Sequence, residues 1–165
     1  MSGPGLEMVR SLYAYNEWAN NRVLAAAAAL DDAALTREHP GSHGSIAADL
    51  AHVVGAQVSW HSLLAGIARP ERAPVPTANI LATLRARFDE SHGALKPVLE
   101  ALTEESLTGT LSSTWGGEPI ELVRWHVLMH VANHGTQHRA EIGIALLEAG
   151  ASPGDLDFIY FIHPD

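Results

Sequence analysis

A chain of 165 residues, 47% hydrophobic and 18% charged, has the length of one domain and enough apolar side chain for one core, which excludes a disordered protein. Ten Lys and Arg stand against 19 Asp and Glu, a formal charge of −9 with no basic cluster, so neither nucleic acid nor an anionic membrane is an expected partner. Cysteine is absent, which removes disulfides, thiolate metal sites and a cysteine nucleophile.

The amino terminus lacks the basic start of a signal peptide, and Glu7 and Arg10 interrupt the residues that follow. The first predicted helix spans residues 6–30, with Val9, Leu12, Asn16, Ala19, Val23 and Ala27 on one face and an alanine run at 25–29. Asp31 and Asp32 open a short turn, and a polar loop then passes through Pro40, Gly41 and Gly44. Ser45 is the expected N-cap of a second helix that continues to Leu64 and stops at Gly66. Residues 44–68 carry Asp49 as their one formal charge, yet His52, Gln57, His61 and three serines make them a buried helix rather than a membrane span. The expected location is cytoplasmic.

A connector with Pro70, Pro74 and Pro76 leads to a third helix capped by Thr77, with Leu81, Leu84, Phe88, Leu95 and Leu102 as its stripe. Pro97 falls inside that pattern and is expected to kink or restart it. Residues 108–119 have turn chemistry and predict a small hairpin about Gly116 and Gly117. The fourth helix is expected over 120–149, ending at Gly150, and the apolar tail through Phe158, Ile159, Tyr160, Phe161 and Ile162 is expected to pack back on the bundle. The pattern predicts one all-α domain over residues 1–165, a four-helix bundle with a hairpin excursion before its last helix.

Ten histidines are present, and four of them recur at four-residue spacing on the last helix: His126, His130, His134 and His138. Neighbours at that spacing share a helix face about 40° apart, so an adjacent pair can share one ion but the whole series cannot. Ile120, Val123, Val127, Val131, Ile142 and Ala145 form one apolar stripe, and His134 and His138 fall near its centre. Imidazoles facing a core must find a partner, and a shared ion supplies one. His126 and His130 lie outside or at the edge of the stripe and read as solvated or supporting groups.

One helix cannot surround an ion, so a further ligand must come from another. His52 is the best candidate, with small residues (Ala48, Gly55, Ala56, Ser59) beside it; His61, next to Trp60, is the alternative. His39, His43, His92 and His163 are expected on the surface. Glu17 and Glu141 are the candidate carboxylate bases. A second apolar stripe on the last helix (Leu122, Trp125, Met129, Ala132, Ala140, Leu147) and the apolar tail suggest a homodimer.

The segment from His130 through His134-Gly135-Thr136-Gln137-His138-Arg139, followed by Gly150, Pro153 and Asp157, resembles the carboxy-terminal signature of DinB-like proteins. Asn16-Glu17-Trp18-Ala19-Asn20 resembles the family's first helix, and Leu50-Ala51-His52 with Trp60 its second. The resemblance implies an up-down-down-up bundle holding a divalent metal through His52, His134 and His138, with His130 outside the shell. Ala140 and Glu141 depart from the family's usual Gly-Gln, which leaves open the hydrogen bond that glutamine would carry. Some relatives use low-molecular-weight thiols. The expectation is a metal-dependent transferase or hydrolase of a small molecule with such a thiol, zinc or nickel being suited to imidazole ligands. The alternative is a non-catalytic metal or small-ligand binder of the stress-response kind.

Overall fold

The computed structural model describes residues 3–39 and 43–163. Four long helices carry the fold: α1 (Pro4–Ala27), α3 (Ile46–Ala65), α4 (Ile80–Glu100) and α6 (Arg124–Glu148), with short helices α2 (Asp32–Thr36), α5 (Glu104–Leu107) and α7 (Phe158–Ile162) between and after them. The protein is mostly helical, and strands β1 (Thr110–Trp115) and β2 (Glu118–Val123) form an antiparallel hairpin. No helix among the described residues is long and apolar enough to cross a membrane.

Local chemistry explains the boundaries. Asp31 caps α2 by accepting from the amide of Ala34, and Ser45 caps α3 by accepting from that of Ala48. Gly66 ends α3 in the left-handed region, at φ 68°, where a side chain would be strained. The hairpin turns on Gly116 and Gly117, both at positive φ, as a two-residue turn matching strand twist requires.

Three expectations need correction. Asn79, not Thr77, is the N-cap residue of α4 and takes the left-handed conformation. Pro97 does not restart the helix, because α4 runs through it to Glu100. Only about one turn of helix remains there, and Gly93 stands four residues back, where the proline ring crowds the backbone. The last helix starts at Arg124 rather than residue 120: Ile120 and Val123 pair with Ser113 and Thr110 across the hairpin. Strand pairing outcompetes helix there because Pro119 discourages a helical residue before it and the chain is β-branched at 120 and 123. The expected loop residues Pro40 and Gly41 lie outside the described residues.

Neighbouring pairs among the long helices are α3 with α4, α3 with α6, α1 with α6 and α1 with α4. Their core falls into two apolar clusters. One contains Val23, Leu24, Leu50, Val54, Leu84, Phe88, Ile142 and Leu146; the other contains Val9, Tyr13, Leu64, Leu95, Val127 and Val131. Between them every long helix contributes buried polar residues: Asn16 and Asn20 from α1, Gln57 and His61 from α3, Ser91 from α4, His138 and Arg139 from α6. Such a layer is tolerable only if its groups bond to one another. Arg139 Nη1 donates to Asn16 Oδ1 at 2.5 Å and to Asn20 Oδ1 at 3.0 Å, and both amide nitrogens donate to Gln57 Oε1 at 3.1 and 2.9 Å. The tail packs back as expected, with Phe158 and Phe161 against Tyr15 and Trp18.

Candidate metal centre

The polar layer meets solvent on the α3–α6 side, where the histidines collect. His52 sits in the second turn of α3 and faces α6; His134 and His138 present one face of α6 back to it. His52 Nε2 and His134 Nε2 are 3.1 Å apart. The His138 ring lies 4.6 Å from that of His52 and 4.4 Å from that of His134, nearly edge-on to both. All three sequence-selected histidines are therefore neighbours.

Two further contacts shape the cluster. Glu141 Oε2 accepts from His138 Nδ1 at 2.7 Å, which directs the other nitrogen of that ring away from the carboxylate. His43, expected on the surface, stacks on His52 at 3.8 Å between centroids and 20° between planes. Its Nδ1 and its peptide nitrogen both donate to Asp49 Oδ1, at 3.0 and 2.8 Å, and His39 Nε2 pairs with the other oxygen at 3.3 Å. The Asp49 side chain is wholly buried, in the first turn of α3 where a negative charge suits the helix dipole.

Ligand atoms of His43, His52 and His138 all lie within 4.8 Å of one another, a three-histidine group that could hold a metal ion. Physical fit separates the candidates. Two nitrogens on one zinc at about 2.0–2.1 Å, at octahedral to tetrahedral angles, stand about 2.9–3.4 Å apart. The His52–His134 pair already has that spacing at 3.1 Å. His43 and His52 are nearly parallel, so their in-plane lone pairs run side by side instead of converging. His134 thus comes to His52 at coordination spacing, while His43, His52 and His138 are the three whose ligand atoms all lie within 4.8 Å of one another.

Electrostatics favours neutral rings. Burial, followed by the positive neighbours His43, His138 and Arg72, pushes the His52 pKa down to about 4. Burial, followed by His138 and His52, pushes His134 down to about 4. Neutral imidazole is the form that ligates. Among the described residues, His52 Nδ1 is buried with no hydrogen-bond partner, and its Nε2 meets the imidazole of His134.

The remaining histidines divide as follows. His130 is exposed, edge-on to Trp60 at 4.9 Å and 5.6 Å from His134, so it borders the cluster. His126 is exposed and packs on Trp125. His61 is buried against α4, hydrogen-bonded to Ser91, and is not part of the cluster. His92 and His39 are not the surface residues expected: the His92 side chain is 10% exposed, within 3.3 Å of Asn20, and that of His39 is 16% exposed. Glu17 is an exposed neighbour of His92 and stands apart from the cluster.

Sequence reasoning missed His43 and its anchor. One signal was available: Asp49 is the single charge in a long apolar stretch, and a buried carboxylate must gather donors from somewhere. The model for the DinB family matches residues 1–165, while a search of curated proteins finds no match. With the family's histidine helix and its partner both in place, this chain belongs to the DinB family.

Proposed function

We propose that this protein is a metal-dependent transferase or hydrolase acting on a small molecule, with a low-molecular-weight thiol as co-substrate, and that it holds one zinc or nickel ion through His52, His134 and His138. The observation that carries the reading is the 3.1 Å approach of two imidazole nitrogens from different helices, with a third imidazole edge-on to both. An open three-histidine shell leaves positions for water or substrate, as reactive metal sites do. The ion's chemistry would be Lewis-acid polarisation or stabilisation of a bound thiolate, and no protein cysteine competes for it. The chain's own share is to hold three imidazoles in place and to keep His52 and His134 neutral.

Supporting features extend the reading to the whole molecule. Tyr13 donates to the carbonyl of Leu128 and Arg22 to that of Pro153, so α1 and α6 run the same way. His52 meets His134 while Arg124 reaches the Leu64 carbonyl, so α3 runs against α6. Leu50 and Leu84 share one cluster, Leu64 and Leu95 the other, so α4 follows α3. These pairings favour a single up-down-down-up domain over 1–165. Ile144 and Leu147 on α6 and Ile159 on α7 are 62%, 63% and 52% exposed, which favours a homodimer through that face. The assignment is to a cytoplasmic protein.

The second reading, a non-catalytic metal or small-ligand binder of the stress-response kind, is favoured by one observation: Glu141 is spent on His138 and Glu17 stands apart, so neither candidate carboxylate is a free base. Elemental analysis of the purified protein, then a thiol-transfer assay with and without chelator, separates the two. Replacing His134 or His138 by Ala abolishes stoichiometric metal, whereas His126→Ala keeps it; the opposite pattern would refute the site. Metal without turnover across thiols, esters and amides selects the binder.

A further inference from the structure

A cavity of about 670 Å³ lies on the other side of α3, between α3 and α4, roofed by the connector that contains Pro70 and Pro74. Ala51 and Gly55 line it but His52, between them, does not, so it backs onto the histidine cluster rather than opening into it. Arg87 pins the roof by donating to the Pro74 carbonyl at 2.8 Å. Walls of Ala51, Val54, Val58 and Ile67 are apolar, and three buried polar side chains, His61, Ser62 and Ser91, complete them.

Hydrogen bonds tie those polar groups to the buried layer. Arg139 can only donate, so Asn16 and Asn20 receive it on their oxygens and pass donors on to Gln57 Oε1. Gln57 must then turn its Nε2 to Ser91 Oγ, at 3.5 Å. The Ser91 hydroxyl lies 3.3 Å from His61 Nδ1. Among the described residues, His61 Nε2 is buried with no hydrogen-bond partner. The polar chain that starts at a buried arginine thus reaches the cavity wall at His61.

The cavity's cationic side chains ask for the same complement. Arg69, Arg72 and Arg87 line it together with Glu71 and Glu90, an excess of one positive charge in a chain of charge −9. Arg72 lies over Gly55 at the cavity's edge, its Nε 3.4 Å from where a Cβ on that glycine would stand.

We propose that this cavity binds a small organic acid, its carboxylate meeting Arg72 and the buried His61 Nε2 and its hydrocarbon body lying against Val54 and Val58. Apolar walls with a few convergent donors are the ordinary anatomy of such sites. The site is independent of the metal reading, and the test keeps the two apart.

Calorimetric titration of chelator-treated protein with octanoate, octanol and octylamine is the measurement. The expected result is one octanoate per chain, with octanol about ten-fold weaker or more and octylamine not binding. Arg72→Gln and His61→Phe should each weaken octanoate by about ten-fold. Ala94→Trp, at an exposed position on the cavity wall, should block it while leaving the circular dichroism spectrum unchanged. His138→Ala should bind octanoate as the parent does. Equal binding of octanol, or retention of binding in both Arg72→Gln and Ala94→Trp, overturns the proposal. So does binding that requires added metal or disappears in His138→Ala, which would make the carboxylate a ligand of the ion instead.

Discussion

Replacing Glu141 by Ala should weaken metal binding by about ten-fold without removing any ligand. Glu141 Oε2 sits 2.7 Å from His138 Nδ1, one turn along α6, close enough for a charge-assisted hydrogen bond. That bond fixes the tautomer of His138 and keeps its remaining nitrogen available. Removing such an outer partner usually costs about 10- to 100-fold in affinity. The Glu141 side chain is 32% exposed, so water can take over part of its role, which places the loss near ten-fold, about 1.4 kcal/mol. Glu141→Gln keeps an acceptor and loses only the charge, so its loss should be smaller. Competition with a chromophoric chelator measures all three proteins directly. Affinity equal to the parent's in Glu141→Ala, together with loss of metal in His138→Ala, would refute the orienting role while leaving the site itself intact.

Gly135→Ala should destabilise by about 1–3 kcal/mol in denaturant titrations, against the gain in helix propensity, because the new Cβ would meet Asn16 Oδ1 at 2.5 Å and Arg139 Nη1 at 2.6 Å; a stabilised variant would show that the polar layer yields freely. Phe88→Ala, removing a side chain only 1% exposed, should cost about 3–5 kcal/mol by the same measurement, and a cost below 1 kcal/mol would contradict the packing of that cluster. Metal-free protein should lose stability as pH falls: His52, His61 and His134 are held near 4 in the fold and rise to about 6.5 on unfolding, so the unfolded chain binds more protons between those values. Their contribution is thus complete above about pH 6.5 and erodes down to about 4, and a thermal midpoint flat from pH 7 to 5 in chelator would refute it. The same depression means that protons compete for the ligands later than for free imidazole, so metal should be retained through pH 6 and released nearer 5 in dialysis experiments.

Much of the bundle was legible because helices announce themselves locally. Ser45 and Gly66 bound α3 by capping chemistry alone, and a pair of glycines marked the hairpin. What failed was competition between local signals. Ile120 and Val123 continue the apolar period of α6, yet they belong to β2, because their partners Ser113 and Thr110 are contributed by a strand that the helical period cannot reveal. The second stripe on α6 is a similar case: Ala132 is buried, but Trp125 and Leu147 face outward, so an apolar face in sequence became an exposed one in the monomer.

The site was legible to the extent that it is helical. His134 and His138 share a face by period, and His52 stands opposite among small residues; each fact is local to one helix. His43 is not of that kind. It precedes α3, and its position is set by a carboxylate six residues later that reads in sequence only as an isolated charge. Glu141 is intermediate: its spacing from His138 was visible, but the family's glutamine drew attention to what was missing instead of to what a carboxylate adds. A better reading would have taken the four stripes together. Asn16 and Asn20, Gln57 and His61, Ser91 and His92, and His134, His138 and Arg139 each interrupt an apolar helix face near its middle. Four such interruptions at one level cannot be independent, since each alone would bury an unpaired polar group. They must face one another, and the chemistry must lie at that level.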